Sequence, residues 1–132
     1  MAHGTHKKKV LLVDDSSTVL SLEQIMLESS YEILTAGSGT EGLQVAVNER
    51  PDLILLDVMM PKLDGFELCR ILRNIRVTKD IPIIMVTTLG DDKSQQTAFA
   101  AGCNDYISKP IDRSELVTKI LRCLQPRSPE EV

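Results

Sequence analysis

The sequence predicts a doubly wound α/β domain: a five-stranded parallel sheet in the order 2-1-3-4-5, with five helices. Three observations carry this prediction. Short apolar runs alternate with helix-period segments along the chain, which is the pattern of βαβ units. The third run, Leu53–Leu56, is apolar at every position, as a central parallel strand covered on both faces must be. Three of the runs stop on charge, at Asp14-Asp15, Asp57 and Lys109, and open α/β sheets bind ligands outside the carboxyl ends of their strands. Right-handed crossovers leave few arrangements for so short a chain. The predicted order places its switch point between the first and third strands, which end on Asp15 and Asp57.

Each element has a local reason. Val10–Val13 reads as a buried strand. Ser16 caps a helix that runs to Glu28, with Val19, Leu22, Ile25 and Met26 as its apolar face. Tyr31–Ala36 is the second strand, and Thr40–Asn48 a helix through Leu43, Ala46 and Val47. After the central strand, Phe66–Ile75 is helical through Leu68, Ile71, Leu72 and Ile75. Ile81–Val86 is the fourth strand, and Asp92–Ala101 a weak helix stopped by Gly102. Phe99 on that helix is expected in the core. Tyr106–Ser108 closes the fifth strand, and Leu116–Leu124 is a helix preceded by the cap pair Asp112 and Glu115. Asp64-Gly65 reads as a turn.

Composition bounds the function. The chain has 132 residues, the size of one domain, with 42% hydrophobic and 26% charged residues. A net charge of −4 argues against non-specific nucleic-acid binding. No apolar run is long enough to span a bilayer or serve as a secretory signal. Cys69, Cys103 and Cys123 have no metal-like spacing and read as reduced thiols of a cytoplasmic protein. Residues 1–6, with His3 and His6, read as a disordered or engineered extension, 7–125 as the domain, and 126–132 as a tail or linker stub.

Three carboxylates held together repel, so a cation must compensate. Mg2+ suits such a set, because it takes one or two carboxylates together with phosphate oxygens and water. Mg2+ and Lys109 would bring Asp14, Asp15 and Asp57 close to neutrality before a phosphoryl group arrives. Asp57, ending the most central strand, is the best nucleophile for an acyl phosphate. Lys109 and the Thr87 hydroxyl are placed to meet the transferred charge.

The segments Lys-Val-Leu-Leu-Val-Asp-Asp, Asp-Leu-Ile-Leu-Leu-Asp-Val-Met-Met-Pro-Lys-Leu-Asp-Gly, Pro-Ile-Ile-Met-Val-Thr-Thr and Ala-Gly-Cys-Asn-Asp-Tyr-Ile-Ser-Lys-Pro resemble the receiver domain of two-component response regulators, of the CheY-like, flavodoxin-like fold. The resemblance covers residues 7–124. It implies that Asp57 is the phosphoacceptor, that Asp14 and Asp15 organise Mg2+ with the backbone carbonyl of Met59, and that Thr87 and Lys109 contact phosphoryl oxygens. Tyr106 matches the aromatic that turns inward on activation as Thr87 moves. Lys109-Pro110 matches a bond that is often cis. Met59 and Leu89 match positions that tune phosphoryl lifetime, and both are apolar, so slow hydrolysis is expected. The implied partners are a sensor histidine kinase or histidine phosphotransfer protein, and a downstream protein or output domain. The face they would meet is the fourth helix, fifth strand and fifth helix, whose weak fourth helix suits a moving element.

Other readings compete. A small Mg2+-dependent phosphatase or phosphotransferase would share the Asp nucleophile, but it normally needs a general acid and a cap over its substrate. The chain is therefore expected to be a phosphoacceptor that assists its own phosphorylation and dephosphorylation, and not an enzyme. A phosphate-independent interaction module would not need the complete site. Gly37-Ser38-Gly39-Thr40-Glu41-Gly42, with Asp57 downstream, formally fits a dinucleotide fingerprint. It follows the second strand, at the sheet edge, and leaves Asp14, Asp15, Thr87 and Lys109 unexplained. Arg70, Arg73, Arg76 and Lys79 form a basic row, read first as a solvated face and second as a docking stripe for an acidic partner.

Overall fold

The computed structural model describes residues 7–88 and 90–125. Its elements, in chain order, are β1 (Lys9–Val13), α1 (Ser17–Leu27), β2 (Glu32–Ala36), α2 (Gly39–Glu49), β3 (Leu53–Asp57), α3 (Gly65–Arg73), β4 (Ile83–Thr87), α4 (Asp92–Ala101), β5 (Asp105–Ser108) and α5 (Arg113–Leu124). All strand pairs are parallel, in the order β2-β1-β3-β4-β5. The predicted class, element number and strand order are those observed. The tails 1–6 and 126–132, and Leu89, lie outside the described residues.

Alternation along the strands splits the core in two. Leu11, Val13, Ile54, Leu56, Ile83 and Met85 pack with residues of α2, α3 and α4 on one face. Val10, Leu12, Leu53, Leu55, Ile84 and Val86 pack with α1 and α5 on the other. β3 and β4 are buried at every position, which explains their unbroken apolar reading. Helices begin at side-chain caps from Ser16, Ser38, Asp64, Asp91 and Asp112. Gly102, at φ 109°, ends α4. Among the described residues no helix is long and apolar enough to cross a membrane.

Four expectations need correction. The inward residues of α1 are Glu23 and Leu27, with Leu20 and Met26 partly buried against the core, whereas Leu22 and Ile25 are exposed. The apolar letters gave the wrong phase because the inward line contains a glutamate. Phe99 is 48% exposed and not core, since α4 turns Ala98 and Ala101 inward. Arg73 leaves the basic row. Its guanidinium donates to the carbonyls of Gly102 (2.9 Å), Lys79 (3.1 Å) and Ile81 (2.7 Å) and to Asn104 Oδ1 (2.8 Å). It is a staple from α3 to the segments before β4 and β5. Finally, β4 starts at Ile83 and not Ile81, because Pro82 has no N–H to offer a ladder.

Candidate functional site

Strand register assembles the site. Val13 pairs with Leu56, so Asp14 and Asp57 follow at the same level of adjacent strands. Asp57 pairs with Val86, which puts Thr87 one residue beyond that level. Thr87 pairs with Ser108, which puts Lys109 two residues beyond it. At about 3.3 Å per residue, Lys109 starts roughly 7 Å above Asp57, a gap that a lysine side chain can bridge. Its Nζ reaches back to Asp57 Oδ1 at 3.1 Å and Asp14 Oδ2 at 3.2 Å.

Asp14 and Asp57 are almost wholly buried, at 1% and 3% exposure, and Asp15 is exposed. Carboxylate oxygens of all three lie within 4.8 Å of one another, a spacing that fits joint ligation of one hard cation. The other oxygen of Asp14 is oriented by the Ser16 backbone N–H at 2.9 Å. Burial raises the Asp57 carboxyl above its ordinary range, Asp14 raises it further, and the hydrogen bond and charge of Lys109 oppose both. Lys109 is raised overall: burial pulls it down, but Asp57 and Asp14 outweigh that pull. The ammonium thus holds together two carboxylates that would otherwise repel.

The loop after β3 is tied down close to the acceptor. The Val58 carbonyl accepts from the N–H groups of Met60 and Gly65, while no described backbone N–H donates to the Met59 carbonyl. The Met59 side chain is 59% exposed. Gly65 is more than half of a turn. A Cβ there would lie 2.4 Å from the Asp57 carbonyl oxygen and 2.8 Å from Val58 Cα, so the start of α3 can seat against the end of β3 only without a side chain. Asp64 and Glu67 form a reciprocal capping box that fixes this seat. The Asp-x-x-Glu spacing was the sequence signal for it.

Thr87 is fully buried, and its carbonyl accepts from the Lys109 N–H at 2.9 Å. Lys109-Pro110 is cis. Tyr106 is buried within the core, with its hydroxyl oxygen enclosed and without a hydrogen-bond partner among the described residues. Its backbone carbonyl is held by Lys119 at 2.6 Å. The GxGxxG segment lies beyond the edge strand β2, and its Gly37 N–H is already taken by Glu41 Oε1 at 2.7 Å. The structure thus brings Asp14, Asp15, Asp57 and Lys109 together in one crevice. One further acidic residue that sequence reasoning missed lines a cavity together with Lys109: Glu23 of α1, buried to 2% exposure.

Comparison with known proteins agrees with this arrangement. A sequence model described as the response regulator receiver domain matches residues 10–121. The chain therefore belongs to the response regulator receiver domain family. It is 38% identical over 118 residues to the DNA-binding dual master transcriptional regulator RpaA of Synechocystis, covering 89% of this chain and 49% of that protein. The chain spans about half the length of the curated relatives it matches. Among solved structures, the Vibrio cholerae chemotaxis protein CheY4 superposes at a TM-score of 0.85 with 34% identity, covering 89% of this chain and 99% of that one. The receiver domain of the Pseudomonas aeruginosa sensor histidine kinase PA1611, solved with a magnesium ion in its active-site cleft, superposes at 0.83 with 30% identity, covering 89% and 98%.

Proposed function

We propose that the chain accepts a phosphoryl group on Asp57 from a histidine kinase or histidine phosphotransfer protein, and then changes the face formed by α4, β5 and α5 to control a partner or output domain. The observation that carries this reading is the buried Asp57 carboxylate at the end of the central strand, hydrogen-bonded to Lys109 inside a three-carboxylate cluster. Asp57 attacks phosphorus, the bond from phosphorus to the donor's leaving group breaks, and the product is an acyl phosphate. Lys109 leaves the carboxylates for a phosphoryl oxygen, and Thr87 meets another. Asp14, Asp15, Asp57 and the Met59 carbonyl would hold Mg2+, which supplies positive charge for the equatorial oxygens. The donor set is all oxygen, as Mg2+ requires. The magnesium in the PA1611 cleft supports that assignment.

A protein donor fits the rim of the crevice. Leu22, 52% exposed, lines the cavity beside Lys109, and Met59 stands two residues beyond Asp57. On the output side, Phe99 and Leu121 are exposed at 48% and 54%. Nothing in this reading calls for turnover of a separate substrate, so the chain acts as acceptor and assists its own phosphorylation and dephosphorylation. Incubation with Mg2+ and a small acyl-phosphate donor, followed by intact mass, tests it. A gain of one phosphoryl is expected, absent in Asp57→Asn and absent with EDTA. An equal gain in Asp57→Asn would refute the assignment.

A further inference from the structure

The inward line of α1 carries a carboxyl between two leucines. Glu23 Oε1 is enclosed and has no hydrogen-bond partner among the described residues, a costly arrangement that calls for a specific explanation in a native core. Glu23 shares the wall of a cavity of about 260 Å³ with Leu22, Met26, Lys109, Pro110 and Ile111. The Lys109 ammonium has three N–H groups. Asp14 and Asp57 accept two of them, and the third has no acceptor among the described residues.

The charged groups acting on Glu23 are Asp14 at the end of β1, Asp57 at the end of β3, and Lys109 after β5. The remaining cavity walls carry no charge. Burial first, then Asp14, push the Glu23 carboxyl up to about 8, with Asp57 adding to this and Lys109 opposing it. In the metal-free crevice the side chain is therefore mainly a neutral acid at neutral pH.

We propose that Glu23 is a positioning residue for Lys109. As a neutral acid it leaves the ammonium to the crevice, and as a carboxylate it draws the ammonium back from the phosphoryl group. The inference rests on the reading that Lys109 meets a phosphoryl oxygen. Of the three carboxyls around this lysine, Asp14 and Asp57 are committed to the crevice and Glu23 alone stands uncommitted in the cavity wall. An anionic Glu23 competes with the phosphoryl oxygens for one ammonium, so ionisation slows phosphoryl uptake.

The test measures phosphorylation by a small acyl-phosphate donor with Mg2+ from about pH 6 to 9, in the unaltered protein and in Glu23→Gln. The ratio of the two rates at each pH cancels the chemistry of the donor. Glu23→Gln is expected to match the unaltered protein at the low end and to exceed it about fivefold at the high end. A ratio that stays flat would overturn the proposal. Independently, carboxyl 13C NMR of metal-free protein follows the Glu23 titration in the unaltered chain and in Lys109→Met. Its midpoint should rise without the ammonium, and an unmoved midpoint would equally overturn the proposal. If neither form is phosphorylated at any pH, the phosphoacceptor reading fails, while the NMR result still decides whether Glu23 and Lys109 interact.

Discussion

Replacing Glu23 by glutamine should stabilise the protein, and the gain should depend on pH in a calculable way. The folded chain holds this proton up to about pH 8, while an unfolded glutamate releases it near 4.5. Between those values the folded state binds more protons than the unfolded state, so stability falls as pH rises through the window. At pH 7 the interval above 4.5, at about 1.4 kcal/mol per pH unit, corresponds to a cost of about 3 kcal/mol. Glutamine keeps the shape and the unpaired oxygen but has no proton to lose. The stability difference between Glu23→Gln and the unaltered protein should therefore be close to its minimum near pH 4, and larger by about 3 kcal/mol at pH 7. Against a total stability of about 5–15 kcal/mol for a domain of this kind, the effect is large. With a urea slope of about 1–3 kcal/mol per molar, the midpoint difference should widen by about 1–3 M. Urea unfolding of both forms, with EDTA, at several values between about pH 4.5 and 8 provides the assay. A difference that stays constant across that window would show that Glu23 ionises normally, and the reasoning would be wrong.

Two further outcomes follow from packing. Arg73→Ala removes four hydrogen bonds at once, three to backbone carbonyls and one to Asn104 Oδ1, which keeps the Ile83 N–H as a donor; urea unfolding should show a loss of about 2–4 kcal/mol, and a loss under about 0.5 would mean the staple is idle. Gly65→Ala places a Cβ 2.4 Å from the Asp57 carbonyl oxygen; the required backbone shift should cost about 1–3 kcal/mol and slow phosphoryl uptake, so unchanged uptake would show that the seat of α3 does not position Asp57.

What could be read in the sequence follows physical lines. β3 and β4 are covered on both faces, so their apolar letters run without interruption, and the end of β3 is marked where charge begins at Asp57. The crevice was legible for the same reason: Asp14, Asp57 and Lys109 interrupt apolar runs. The face of α1 was not legible, because periodicity counts apolar letters and Glu23 removes one from the buried line. Phe99 misled in the opposite sense, as a large apolar residue left on the outside while alanines take the core side of α4. Arg73 looked like surface because its charge says nothing about four acceptors supplied by residues 6 to 31 positions away.

Glu23 and Lys109 also show why one helix can bear on chemistry to which it contributes no ligand. Register alone places Lys109 two residues above the level of Asp57, so its ammonium reaches the carboxylates only at the end of a long side chain. A group held that way is 21% exposed and has several rotatable bonds. It is therefore less rigidly held than Asp14 and Asp57, which are fixed by burial and by their strands. Whatever stands beside the lysine then weighs more than an equal charge beside a fixed carboxylate. α1 supplies that neighbour in the wall of the cavity that both residues line, and an apolar residue at position 23 would exert no charge on Lys109 at any pH.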